Sequence, residues 1–118
     1  MSESMQYNIG TITAHVLSDG YIEQELDPAE SFPDVPSGDF KRVMEAYDVD
    51  TEVTRMDRNC LLIQTGDLNV LVDVGLGYRW NAELLENLGV AGIEPATIDH
   101  VILTHGHGDH TAGAVSEK

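Results

Sequence analysis

Apolar and polar positions alternate irregularly over the first half of the chain. Residues 7–17 are rich in β-branched side chains and lead into Ser18-Asp19-Gly20, which is typical of turns, so we expect a first strand that ends there. Residues 21–36 carry three prolines among acidic residues and serines, which predicts an irregular surface loop that could follow a short strand at residues 21–22. Residues 40–47 place apolar side chains at i, i+3, i+4 and i+7, which predicts a short helix with one face packed inward.

Two apolar runs in the second half are separated by a turn dipeptide. Residues 60–65 precede Gly66-Asp67 and residues 69–73 follow it, and this arrangement predicts a β-hairpin. The second run is nearly all apolar, as expected for a strand covered on both faces. Gly75 and Gly77 then allow the chain to leave that strand sharply.

The last third of the chain predicts a helix, a turn and a strand. Residues 80–88 have helical character, and Gly89 follows them at the position where left-handed geometry often ends a helix. We interpret Trp80 as part of the core face of this helix, with the lining of a substrate cleft as the alternative. A short turn opens at Pro95, and residues 100–104 form a short apolar strand that leads into the next segment.

That next segment holds three histidines and one aspartate within six residues: His105, His107, Asp109 and His110. Imidazole and carboxylate are ligands that zinc accepts, and the chain's 5 histidines would rarely cluster so densely by chance. His105 and His107 are two residues apart, so both imidazoles can project to one side of an extended segment and converge on one ion. Asp109 and His110 are adjacent and point differently, which suits a second ion. The spacing therefore predicts two zinc positions on one loop.

The residues that surround the four candidate ligands bear on the metal hypothesis. Gly106 and Gly108 are expected to relieve crowding where the backbone folds around the metals. The alternative is a polar histidine-rich loop that binds metal adventitiously, but an apolar strand before the loop and small residues after it favour a true site.

His15 and His100 are interpreted as packed or surface histidines. Cys60 is the single cysteine, so no internal disulfide can form, and its apolar neighbours predict a buried side chain.

Charge limits the partners that the chain can have. Asp and Glu number 21 against 6 Lys and Arg, which gives a formal net charge of -15. Such a field repels phosphate backbones and anionic lipids, so nucleic acid and membrane partners are disfavoured. The acidic residues are scattered through every segment, which favours adaptation to high salt over an ordinary acidic surface. No export signal or apolar span is visible, and we expect a cytoplasmic protein.

The residues of the loop and of the hairpin resemble a known family. Residues 104–113, Thr-His-Gly-His-Gly-Asp-His-Thr-Ala-Gly, are similar to the signature loop of the metallo-β-lactamase superfamily, and residues 59–63 and 70–77 are similar to its hairpin. The resemblance implies an α/β fold, namely the N-terminal half of a metallo-β-lactamase αβ/βα sandwich with metals at one edge. Ser18-Asp19-Gly20 and the hairpin look most like lactonase-type members, including quorum-quenching lactonases.

The resemblance also implies roles for individual residues. His105 and His107 would ligate the first of two zinc ions, and Asp109 and His110 would ligate the second. Asp73 would orient a metal-bound imidazole without binding the ion itself. Asp109 would in addition be catalytic, because its carboxylate can hold the attacking water in line.

Activity is expected of a longer parent protein. The family takes further ligands from downstream, another His, a bridging acid and a last His, so we expect residues 1–118 to be a partial domain truncated after the first metal-ligand loop. The parent is expected to hydrolyse an ester, lactone or similar bond of a small-molecule substrate, with water activated by zinc. The isolated chain is expected to be inactive, and a complementing C-terminal half or a homo-oligomer is a possible partner.

Three alternatives remain open at this point. The chain could be a non-catalytic module that binds metal or pairs with a second polypeptide completing the sandwich. It could be a nuclease-type member of the same superfamily, which the net charge of -15 opposes. It could be an iron-based oxygen-reducing member, which is disfavoured because such members look to have Glu where His107 stands.

Overall fold

The computed structural model describes residues 5–50 and 52–115. Its strands and helices follow one another along the chain as β1 (Met5–Ile9), β2 (Ile12–Gln24), α1 (Pro28–Ser31), α2 (Ser37–Ala46), β3 (Thr54–Thr65), β4 (Leu68–Val72), α3 (Leu84–Val90), β5 (His100–Ile102) and α4 (Gly108–Thr111). Two single-turn 3-10 helices, Pro95–Thr97 and Ala112–Ala114, precede β5 and follow α4.

The five strands form one sheet in the order β1-β2-β3-β4-β5. β1 and β2 are antiparallel, and so are β3 and β4, whose hairpin turn lies at Gly66-Asp67 as predicted. β4 and β5 are parallel, with Val70 opposite His100 and Val72 opposite Ile102. Parallel neighbours need a crossover connection, and here α3 lies within it. The carboxyl ends of β4 and β5 therefore lie at the same edge of the sheet.

Contacts divide the chain into two units, which are described separately. The first comprises the residues up to Tyr21 and those from Asp57 onward. Its core consists of buried side chains from β2, β3, β4 and α3: Leu17, Cys60, Leu62, Leu71, Val74, Leu84 and Leu88. The predicted burial of Cys60 is confirmed, and burial raises the pKa of its thiol to about 12, helped by the nearby carboxylates of Asp19 and Asp73.

The second unit, Ile22–Met56, contains the two short helices α1 and α2. Asp27 caps α1 by accepting a hydrogen bond from the Ala29 N–H at 2.9 Å. The rings of Phe32 and Phe40 stack with their centroids 5.5 Å apart. The helix predicted at residues 40–47 is present as α2, but none of its residues, all of which are described, is buried. The expectation of an inward-packed face is therefore wrong.

Two other predicted boundaries are wrong. β2 runs through Ser18-Asp19-Gly20 to Gln24 instead of turning there, and the first turn lies earlier, at Gly10-Thr11. The helix expected at residues 80–88 begins only at Leu84, because Trp80 and Asn81 adopt left-handed backbone angles, with φ of 42° and 54°. Trp80 is 74% exposed and belongs to no helix core.

The remaining histidines outside the loop are accounted for by packing and exposure. His15 is buried, and its Nε2 lies 3.0 Å from Gln64 Oε1. His100 is exposed on β5, an edge strand of the sheet on which Val101 and Ile102 are also half exposed. Among the described residues, no helix is both long enough and apolar enough to cross a lipid bilayer.

Candidate metal centre

The candidate site forms where β4 and β5 end. Asp73 follows β4 directly, and its N–H donates to the carbonyl oxygen of Ile102, the last residue of β5, at 2.8 Å. Two residues beyond Ile102 lies Thr104, which begins the loop that carries the predicted ligands. Parallel pairing of the two strands thus brings the Asp73 carboxylate next to the loop.

Asp73 is buried and accepts hydrogen bonds from both sides of the loop. Its Oδ1 accepts from the Thr104 N–H at 2.8 Å, and both of its oxygens lie within 3.0 Å of the Thr104 hydroxyl. Its Oδ2 lies 2.7 Å from His110 Nδ1. Desolvation alone would raise the pKa of Asp73, but the hydrogen bonds from Thr104 and His110 outweigh it and lower that pKa below its ordinary value. The side chain is therefore an ionised acceptor.

An ionised carboxylate can only accept hydrogen bonds. This determines which ring nitrogen carries the proton in the neighbouring neutral imidazoles. His110 must donate from Nδ1 to Asp73, which leaves its Nε2 with a free lone pair. The Thr104 hydroxyl donates its single proton to Asp73, so His105 Nδ1, 3.0 Å from that hydroxyl oxygen, must donate to it.

The third histidine of the loop, His107, faces the free nitrogen of His105. His105 Nε2, left without a proton, lies 3.2 Å from His107 Nδ1. Two nitrogen ligands of one tetrahedral zinc ion are separated by a similar distance, so this pair of nitrogens can converge on one ion. The contacts with Thr104 and Asp73 thus assign the Nδ1–H tautomer to His105 and His110, with Nε2 as the nitrogen that can ligate a metal.

The predicted ligands lie close together, although they do not form a finished site. The ring centroid of His105 is 4.8 Å from that of His107 and 4.0 Å from that of His110. Asp109 is half exposed, with Oδ2 3.5 Å from His110 Nε2. Within residues 5–50 and 52–115, however, no three His, Cys, Asp or Glu side chains are arranged to hold one metal ion. The imidazole and carboxylate donors fit zinc in kind, and their final arrangement would have to form with the metal.

Glycines shape this region differently from the expectation. A Cβ on Gly106 or Gly108 would meet no described heavy atom within 4 Å, and neither has a positive φ, so the predicted relief of crowding by these two residues is not what the structure shows. Gly113 has that role, because a Cβ there would collide with the carbonyl oxygen of Val74. The backbone after α4 thereby packs directly against the exit of β4.

Sequence reasoning missed a buried ion pair near this exit. Asp19, which the sequence placed in a turn, is fully buried, and its Oδ2 lies 3.7 Å from Arg58 Nε. No clear signal for it was available, because Arg58 is one of three charged residues, with Arg55 and Asp57, in the first half of β3. Buried charges require partners, so such a pair is seldom accidental.

A strand pair that presents a histidine-rich loop beside an aspartate is the arrangement expected for metal-dependent hydrolases of the fold inferred above. The chain belongs to the metallo-beta-lactamase superfamily, whose family model matches residues 53–116. The family resemblance seen in the sequence and the predicted α/β fold are both confirmed.

Individual relatives agree with this assignment. The chain is 45% identical over 56 residues to the lactamase-like protein adaB of Aspergillus niger, a match covering 47% of this chain and 17% of that protein. It is 42% identical over 71 residues to metallo-beta-lactamase domain-containing protein 1 of Xenopus laevis, covering 58% of this chain and 29% of that protein. The chain thus spans less than a third of the length of these curated relatives.

Solved structures extend the likeness to almost the whole chain. AidC, a dizinc quorum-quenching lactonase solved with a product, superposes with a TM-score of 0.89 at 27% identity, covering 98% of this chain and 40% of that chain. The hydrolase AbOPH of the beta lactamase superfamily gives a TM-score of 0.84 at 27% identity, covering 96% of this chain and 39% of that chain. The fold is therefore of the hydrolase type, with lactonases among its structural neighbours.

Proposed function

We propose that the protein containing this chain is a zinc-dependent hydrolase that cleaves an ester or lactone bond in a small-molecule substrate. The observation that carries the proposal is the hydrogen-bond order around Asp73, which leaves Nε2 of His105 and His110 unprotonated on a loop that also offers a carboxylate. Lactonase activity of the structural neighbour AidC supports the choice of bond.

Four residues of the chain would hold two zinc ions in part: His105, His107, Asp109 and His110. Zinc in such a site lowers the pKa of a water molecule and stabilises negative charge that develops on the carbonyl oxygen. Asp73 keeps the His110 ring in one orientation through the 2.7 Å contact. Asp109 can accept a hydrogen bond from the attacking water and hold it in line with the carbonyl carbon.

Catalysis is proposed for the parent protein, and the chain of 118 residues is expected to bind zinc only weakly and to be inactive alone. Four donors shared between two ions leave each ion short of the usual four ligands.

Calorimetric titration of the chain with zinc tests the metal part of the proposal. We expect binding heat that disappears in the double variant His105→Ala, His107→Ala. His100→Ala is the matched control, since it removes an exposed histidine of β5 outside the loop. Equal zinc affinity in the double variant would refute the ligand assignment.

Turnover of the parent protein tests the choice of reaction. We expect hydrolysis of lactones and carboxylic esters that stops on chelation and returns with added zinc. A parent that binds zinc through these residues but turns over neither substrate class would contradict the hydrolytic proposal and favour a non-catalytic metal-binding module.

A further inference from the structure

Asp19 lies outside the candidate metal loop, and its side chain is hydrogen-bonded to the segment of chain that follows β4 and Asp73. The side chain is fully buried on β2, and a buried carboxylate is tolerated only when its oxygens have partners. Oδ2 accepts from the Leu76 N–H at 2.8 Å. Oδ1 accepts from the N–H groups of Glu83 and Leu84, at 3.2 and 3.0 Å. One carboxylate thus holds both ends of residues 76–84, here called the 76–84 segment, and caps α3 at its start.

Arg58 supports the middle of the same segment. Its side chain is 7% exposed, and its Nη2 donates to the carbonyl oxygens of Asp19 and Trp80, at 2.8 and 3.4 Å. Trp80 and Asn81 are the two non-glycine residues of this segment with left-handed angles, a conformation that residues other than glycine keep only where their surroundings impose it. The segment is therefore held at three points by a single buried ion pair.

The point of attachment at Leu76 is next to the backbone of the candidate metal centre. Gly75 has a φ of 63°, and the Asp19 carboxylate occupies the space that a Cβ there would need. The Gly75 carbonyl oxygen accepts from the Gly113 N–H at 3.0 Å. The Val74 N–H donates to the carbonyl oxygen of His110, also at 3.0 Å. The two residues between Asp73 and Leu76 are thus bonded to the backbone at and beyond His110.

We propose that Asp19 is a positioning residue for His110. By fixing Leu76 it fixes Val74 and Gly75, and these residues keep the His110 ring beside Asp73 in the tautomer that leaves Nε2 free. The inference rests on the proposed function only in taking His110 as a metal ligand. The geometric part, that Asp19 maintains the contact between His110 and Asp73, needs no metal.

Nitrogen NMR of the imidazole rings in the full metal-free chain tests the geometric part. At a pH well above the ordinary imidazole pKa of about 6.5, His110 in the native chain should show a single Nδ1–H tautomer. In Asp19→Ala, the His110 nitrogen signals should be an average over its two tautomers. Asp19→Asn should restore the native pattern in part, because its amide oxygen can still accept from one end of the segment. The matched control is Leu62→Ala, which removes a fully buried side chain of the core without touching these hydrogen bonds.

Zinc titration of the same variants provides a second measurement. We expect Asp19→Ala to weaken zinc binding by about tenfold or more relative to Leu62→Ala, as is usual when the support of a metal ligand is lost. Both comparisons are made well below the melting temperature of each variant.

The outcomes separate a positioning role from simple stabilisation. If Asp19→Ala, or Asp19→Asn where the alanine variant does not fold, lowers the melting temperature but keeps the native His110 tautomer, the proposal is overturned. If the native chain binds no zinc while Asp19→Ala still loses the tautomer, the metal proposal fails and the positioning role of Asp19 stands.

Discussion

Replacing Asp73 with Asn isolates the effect of its charge. The residue has a φ of 61°, and Asn tolerates this left-handed conformation as well as Asp does, so the backbone should not change. The amide oxygen can still accept from Thr104. The amide nitrogen, in contrast, donates where Oδ2 accepted, so His110 Nδ1 must become an acceptor and its proton must move to Nε2.

The size of the effect follows from the contacts that are lost. A hydrogen bond to a charged group contributes about 1.5–3 kcal/mol, and in the variant the contact with His110 survives only as a neutral pair. Loss of a group that orients a metal ligand typically weakens metal binding by about 10–100-fold. We therefore expect zinc affinity to fall by that factor, with a loss of stability of about 1–2 kcal/mol in the metal-free chain.

Two measurements check this prediction. Zinc titration against a competing chelator gives the affinity, and nitrogen NMR of the imidazoles reports whether His110 has changed tautomer. Asp67→Asn, in the exposed hairpin turn, removes the same charge outside the site and serves as the control. Unchanged zinc affinity together with an unchanged His110 tautomer would refute the proton order derived from the Asp73 contacts.

The stability of the chain at acidic pH provides an independent check on the role of Asp73. Its folded-state pKa lies below the ordinary value of 3.8, so the ionised form stabilises the fold at any pH above that value. This contribution is lost as the pH falls below the ordinary value toward the lowered one. The stability difference between the native chain and Asp73→Asn should therefore shrink below about pH 4. A difference that stays constant into strong acid would contradict the lowered pKa.

Three further outcomes are expected. Cys60, whose thiol pKa is raised to about 12, should react with a thiol reagent near neutral pH only at the rate of unfolding, and rapid labelling of the folded chain would show that the residue is accessible. The melting temperature should rise between dilute buffer and molar potassium chloride, because the acidic side chains behind the net charge of -15 repel one another less when the Debye length falls to about 3 Å. An unchanged melting temperature would contradict adaptation to high salt and favour an ordinary acidic surface. Asp109→Asn in the parent should lower turnover about a thousandfold while the melting temperature changes little, since its side chain is 47% exposed; turnover within tenfold of native in an unfolding variant would show a structural role.

Features with local signals could be predicted from the sequence. The hairpin of β3 and β4 has its turn residues at Gly66-Asp67 between two apolar runs, and all of this information lies within about fifteen residues. The candidate ligands are contiguous, so their clustering is visible without a fold. Asp73 was reached through the family resemblance, whereas the part of Thr104 in linking Asp73 to His105 depends on distances that no sequence pattern contains.

Features set by distant partners could not be predicted. Ser18-Asp19-Gly20 has the composition of a turn, yet Asp19 stays in a strand because its partners lie 57, 64 and 65 residues further along the chain. The same partners delay the start of α3 to Leu84, since the hydrogen bonds that the Glu83 and Leu84 N–H groups donate to Asp19 replace a local cap. Tertiary contacts overrode local preference in both places.

The parallel pairing of β4 with β5 bears on the order in which the chain becomes structured. β3 and β4 are joined by a two-residue turn, whereas Asn69 must find Asp99 across thirty residues before β5 can pair. Loop closure over the longer span costs on the order of 2 kcal/mol more, and such non-local pairings slow folding. The hairpin should therefore form early and the histidine loop late. We therefore expect a metal ion to bind the loop only after the sheet has closed.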